Sequence, residues 1–148
     1  MQFNRNGISF QYSDSWELVE EEWDENISSL TFEDEDSLYM FDIYHHDRSR
    51  SIEDYAKIHV DSFVRELPFV SKISSTPRTT ATSNQGIPGL ILEFAVRSYL
   101  FFTSTYVNPI FRHASPKAVT FISAQYAKDS ANHKTTDLNQ VLGSYSVS

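Results

Sequence analysis

Leu38-Tyr39-Met40-Phe41-Asp42-Ile43-Tyr44 is apolar on both faces, the pattern of a strand buried at the centre of a sheet. Shortly after it, Ser51-Ile52-Glu53-Asp54-Tyr55-Ala56 opens a helix: Ser51 can cap the first turn, with Asp54 three residues on. At 100° per residue Ile52, Tyr55, Ala56, Val60, Phe63, Val64 and Leu67 share one half of the cylinder, and Pro68 ends it. That stripe must be buried against a sheet, so a strand followed by a sheet-packing helix sets the frame for the rest.

Upstream, Ile8, Phe10 and Tyr12 alternate with polar residues as a half-buried strand does. A strand over 16–21 and a weaker one over 27–33 lead into residues 38–45 through short acidic links, which predicts an antiparallel meander. Downstream, 69–82 reads as one long polar edge strand, and Gly86-Ile87-Pro88-Gly89 as a turn. Leu90, Leu92, Phe94 and Val96 alternate through the next strand. Strands over 99–107 and 117–126 follow, with Asn108-Pro109 and Ser115-Pro116 predicting a loop between them. A last helix is expected from Thr136, with Leu138, Val141, Leu142 and Tyr145 on one face. Strands, helix, strands, helix means α+β: an antiparallel sheet of about six to eight strands with two helices packed against it, one domain over 1–148. The expected core is Trp16, Phe41, Ile43, Tyr55, Val60, Phe63, Leu92, Phe94, Phe121 and Leu142.

Composition removes whole classes of function. There is no Cys, hence no disulfide, thiolate metal site or cysteine nucleophile. Four glycines, at 7, 86, 89 and 143, form no nucleophile elbow, phosphate loop or dinucleotide turn. The acidic runs are not EF-hand loops, which need a mid-loop glycine. No apolar run is long enough for a membrane span, and the first residues lack a signal-peptide apolar region, so a cytoplasmic location is expected.

Charge is the outstanding signal. Residues 1–47 hold 13 acidic groups and one basic group, whereas residues 48–148 hold 7 and 11. One-sided fields select and steer partners. The acidic residues Glu20, Glu21, Glu22, Asp24 and Glu25, and then Glu33, Asp34, Glu35 and Asp36, are the candidate surface for a partner protein with a basic patch. A nucleic-acid surface built from Arg97, Arg112 and Lys117 among Tyr99, Phe101, Phe102 and Tyr106 lacks its driving force at net charge −8.

The titratable candidates are few. His45 and His46 point to opposite faces of a strand and cannot chelate one ion together; His113 or His133 would have to supply a third ligand. No metal or cofactor is expected. His59 falls inside the apolar helix stripe, one turn after Tyr55 and near the face of Glu66. It reads as a core histidine held by one hydrogen bond, or as a base lining a pocket with Tyr55 and Glu66.

The opening Asn6-Gly7-Ile8-Ser9-Phe10-Gln11-Tyr12-Ser13-Asp14-Ser15-Trp16 resembles the Gly-(Ile/Phe)-x-Phe-x-(Tyr/Leu)-Pro-x-x-Trp start of the PsbP-like and DcrB-like superfamily, which also includes the Ran-binding nuclear import factors. Ser51-Ile52-Glu53-Asp54-Tyr55-Ala56 is similar to its first helix start, and Leu138-Asn139-Gln140-Val141-Leu142-Gly143-Ser144-Tyr145 to its final helix. Ser13 stands where the superfamily has proline. The resemblance implies an α/β/α sandwich around an antiparallel sheet and an accessory role without catalytic residues. The resulting expectation is a bacterial, cytoplasmic, non-enzymatic module of adaptor, secretion-chaperone or immunity type, monomeric or weakly dimeric. The alternative is a small ligand- or metal-binding domain or enzyme with its pocket near His59.

Overall fold

The computed structural model of the chain describes residues 1–66, 72–73, 78–97 and 103–148. Two short strands, β1 (Gln2–Arg5) and β2 (Ile8–Gln11), precede the acidic meander of β3 (Glu17–Glu22), β4 (Ile27–Asp34) and β5 (Ser37–Tyr44). Helix α1 (Ile52–Glu66) follows, then β6 (Lys72–Ile73), β7 (Arg78–Thr82), β8 (Pro88–Arg97), β9 (Thr103–Ala114) and β10 (Val119–Ala127). A 3-10 turn (Lys128–Ser130) leads into α2 (Ala131–Ser144) and a closing β11 (Ser146–Val147).

The α+β expectation holds. The main sheet is antiparallel, in the order β3-β4-β5-β10-β9-β8, and β6 and β7 share the outer side of β8. The doubly apolar segment over residues 38–44 is β5, flanked by β4 on one side and by β10 on the other. One face buries Leu30, Phe32, Phe41, Ile43 and Ile122 against Leu138, Val141 and Leu142 of α2 and Phe3, Ile8 and Phe10 of the small sheet. The other buries Leu90, Leu92, Phe94, Ile110 and Phe121 against Tyr55 and Ala56 of α1. Ser51 caps α1, its hydroxyl accepting the Asp54 amide at 3.1 Å. Of the expected core, Val60 is half-buried, and the side chain of Phe63 lies outside the described residues; the other eight are buried.

Several expectations need correction. The strand at residues 8–12 does not join the main sheet: β2 pairs with β1 and β11 in a separate three-stranded sheet. The unforeseen β1 is carried by Asn6-Gly7, both left-handed (φ 51 and 82), a two-residue hairpin turn. Residues 108–109 are not a loop, because β9 runs straight through them. Its register with β8 is unbroken, Leu92 opposite Asn108 and Ile91 opposite Pro109. Its pairing with β10 lapses at these two residues alone, so the missing proline N–H costs little. Gly89 is not in a turn but inside β8. The expected edge strand over 69–82 is present, among the described residues, as separate β6 and β7. α2 begins at Ala131, not Thr136, and β5 stops at Tyr44, leaving His45 and His46 beyond the strand.

Candidate functional site

The acidic candidates fall on three places of the meander. Glu20, Glu21 and Glu22 lie in β3, the outermost strand of the main sheet; Asp24 and Glu25 lie in the turn to β4; Glu33 to Asp36 occupy the end of β4 and the turn to β5. Sequence pattern places the two turns at opposite ends of β4, and the structure agrees. An eight-residue strand spans about 25 Å, well beyond a Debye length of about 8 Å at physiological salt. The ends of the meander are therefore two separate fields.

Within them, the structure divides the acids into paired and unpaired. Val19 is an extra residue in β3, since Leu18 faces Phe32 while Glu20 faces Thr31. Leu18 packs on the core beneath α2, so alternation around this bulge sends Glu17, Glu20 and Glu22 to the face that carries α1, and Glu21 to the other. Glu21 is held by the Arg5 guanidinium at 2.5 Å and the Trp23 indole N–H at 2.6 Å. These bonds, Trp23 first, hold its carboxyl below the usual range. Glu17, by contrast, sits directly opposite Glu33 in register. Among the described residues no cation pairs with Glu17, Glu20, Glu22, Glu25, Glu33 or Glu35.

One cation from α2 reaches the second turn. Lys134 Nζ meets Asp34 Oδ2 at 2.7 Å and Asp36 Oδ1 at 3.0 Å. The side chains of Asp34 and Lys134 are only 7 % and 13 % exposed. Tyr39 donates to the same Asp34 oxygen at 3.4 Å, and Ser130 to Asp36 at 3.3 Å. The Lys134 hydrogen bond, chiefly, holds the Asp36 carboxyl low. Burial pulls the Lys134 ammonium down, but its two carboxylates outweigh this and raise it overall. Burial, then the Asp34 charge, raise Asp137 nearby. Trp16 Nε1, buried beside this cluster, reaches no partner with ordinary hydrogen-bond geometry, although its proximity lowers Asp137 slightly. Asp34 and Asp36 thus tie the second turn to α2; Asp34 is nearly buried by this, while the Asp36 side chain stays 52 % exposed. A shallow cleft of about 240 Å³ lined by Ser15, Asp34, Glu35 and Lys134 adjoins the pair.

His59 lies on α1 against β9. It is half-buried, and its Nε2 lies 2.9 Å from Asn108 Nδ2 on β9, with the Tyr55 ring 5.8 Å away. Tyr55 stacks on Phe121 at 4.3 Å and donates a very short hydrogen bond to Asp42, which also accepts from Ser29 at 2.8 Å. Burial and the Asp42 charge push the Tyr55 hydroxyl far up, so it stays a donor. Asn108 is fully buried and its Oδ1 lacks a hydrogen bond. The Glu66 side chain lies outside the described residues.

The remaining histidines stay apart. His45 bonds to Ser28 Oγ at 2.9 Å, His46 and His133 are exposed, and His113 packs edge-on to Tyr145 at 4.8 Å. Among the described residues no three His, Asp or Glu side chains converge to hold a metal. Arg112, part of the basic and aromatic set that sequence rejects as a nucleic-acid surface, donates to the carbonyls of Arg50 and Arg48 at 3.0 and 2.9 Å. Tyr106 packs on the core beneath α1, while the Arg97 side chain, Tyr99, Phe101 and Phe102 lie outside the described residues. Among the described residues no helix is long and apolar enough to cross a membrane.

Sequence reasoning missed Arg5 and Lys134 as partners of the acids. Alternation along Gln2–Arg5 behind an Asn-Gly turn could have found the first; nothing local points from Lys134 to a turn a hundred positions earlier.

No protein-family model matches the chain, and no curated protein matches it by sequence. Solved structures do. The solution structure of cyanobacterial PsbP (CyanoP) from Synechocystis sp. PCC 6803 superposes with a TM-score of 0.56 at 12 % identity, over 100 % of this chain and 92 % of that one. A Bacteroides thetaiotaomicron VPI-5482 protein matches with a TM-score of 0.52 at 10 % identity, over 99 % of this chain but only 48 % of its own. LpqN, described as involved in cell envelope biogenesis of Mycobacterium tuberculosis, superposes more loosely, at a TM-score of 0.47 and 15 % identity. Element order, the two-faced antiparallel sheet and the full-length match to CyanoP together give this chain the PsbP-like fold.

Proposed function

We propose that the chain is a cytoplasmic, non-enzymatic protein-binding accessory module that engages a basic partner protein through the acidic β3 edge and its adjoining turn. Adaptor, secretion-chaperone and immunity-type roles would all fit such a surface. The observation that carries this reading is the Glu17–Glu33 pairing: like charges directly opposite in a sheet destabilise it. Elsewhere the fold brings Arg5 to Glu21 and Lys134 to Asp34 and Asp36, yet it leaves this pair, Glu20 and Glu22 without a cation among the described residues. A cationic partner would relieve what the fold leaves unrelieved. The test compares affinity capture by the wild-type chain and by E17Q/E20Q/E22Q. A basic protein retained by the first, released by salt and lost from the second supports the reading; identical captured sets sink it.

A second reading, a small ligand-binding domain or enzyme at His59, Tyr55 and Glu66, draws on the buried, unpaired Asn108 Oδ1. A thermal-shift screen with metals and metabolites checks it. A saturable shift in the wild type that H59Q abolishes would favour it over the first reading, and no shift would discard it.

A further inference from the structure

Beyond its charge, β3 carries unused hydrogen-bonding capacity. It is the terminal strand of the main sheet and pairs with β4 alone. Among the described residues nothing else hydrogen-bonds to the main chain of residues 17–22. Alternate N–H and C=O groups along its outer side are therefore open, and an open edge is a template for another strand. Natural sheets blunt such edges with bulges and charges. Here there is one bulge, at Val19, whose side chain is 46 % exposed, and every ionisable residue of the strand is Glu.

Protection by a single sign of charge is selective. Pairing β3 with the β3 of a second copy would set Glu against Glu, with only Glu21 neutralised by its own chain. The edge thus opposes self-association while staying open to a strand of opposite charge.

We propose that β3 is a strand-addition site for an extended basic segment of a partner protein. Alternate Lys or Arg side chains of that segment meet Glu17, Glu20 and Glu22 on the α1 face, and main-chain hydrogen bonds to residues 17–22 supply attachment. This rests on the basic-partner reading above and adds to it the mode of binding. A strand of six residues covers about 20 Å, so a partner stretch of about six residues suffices.

The test uses two synthetic peptides of alternating Lys and Val. One is unmodified; the other is N-methylated on alternate backbone amides, which keeps its charge and removes its strand pairing. Binding is followed by NMR titration together with amide hydrogen exchange of the full chain. The expected result is at least tenfold tighter binding of the unmodified peptide, slowed exchange confined to β3, and loss of binding in E17Q/E20Q/E22Q. Equal binding of both peptides without slowed exchange would overturn strand addition while leaving the basic-partner reading standing. Binding of neither peptide would overturn both.

Discussion

Gly89 and His113 show how much one position can depend on a neighbouring strand. A Cβ at Gly89 would lie 2.5 Å from two atoms of the Phe111 ring, its partner across β8 and β9. Gly89→Ala should therefore displace that ring and cost about 1–3 kcal/mol, as overpacking does, read as a lower urea midpoint. The Gly-Ile-Pro-Gly run reads as a turn from its residue types alone; the ring that demands the second glycine comes from another strand. His113 stacks edge-on to Tyr145, and its Nδ1 is buried without a hydrogen bond. Burial holds its pKa below the usual 6.5. The unfolded chain then binds the proton more readily, so His113 leaves stability intact above about pH 6.5 and subtracts from it as pH falls from there toward its folded value. His113→Phe keeps the ring contact and removes the titration. The stability profile between about pH 5 and 7 should flatten in that variant; an unchanged slope would assign the acid sensitivity to other groups.

Elements differ in how locally they are specified. The α1 start is local: Ser51→Ala removes the hydroxyl that accepts the Asp54 amide and should cost about 1 kcal/mol, with Ser51→Gly costing only a few tenths by the same denaturation measurement. The α2 start is not. It has no side-chain cap, and its first turn is anchored instead by Lys134 on Asp34 and Asp36, and by Ser130 on Asp36. Lys134→Met strands the Asp34 carboxylate. Losing one member of a buried pair costs about 3–5 kcal/mol, but the adjoining cleft admits water, so about 1–3 kcal/mol is expected. Restoration of much of that loss by adding Asp34→Asn would confirm that the stranded charge is the cause. β1 and β9 make the same contrast. The Asn-Gly turn announced a hairpin that needed only its first four residues read as a strand, whereas Pro109 is tolerated in β9 only because the β10 ladder lapses there.

For the whole molecule, what matters is how charge is distributed over the fold. E17Q/E20Q/E22Q removes three acidic groups from one face of one edge without touching an ion pair among the described residues. Its stability should be unchanged or slightly higher, because the Glu17–Glu33 opposition is relieved. Its association with a basic partner should be slower and nearly independent of salt, measured by stopped-flow from low to physiological ionic strength. Equal salt slopes in variant and wild type would reduce the acidic edge to solvated surface. Asp34→Asn and Asp36→Asn should instead show up in stability, since those carboxylates hold α2 to the meander.

Sequence alone determined what periodicity and end signals can carry: the α+β class, the acidic meander, the central place of β5, the Ser51 cap, and a core in which Trp16, Phe41, Ile43, Leu92, Phe94, Phe121 and Leu142 are buried. Each of these depends on the order of apolar and polar residues within one element, which burial must respect wherever the element lands. Tertiary structure alone decided which strands share a sheet, that the chain opens in a second small sheet, that Asn108 and Pro109 stay in a strand, and which acids are neutralised. Those depend on pairings between distant segments, where registry, a ring over a glycine or a lysine reaching a turn has no trace in local pattern.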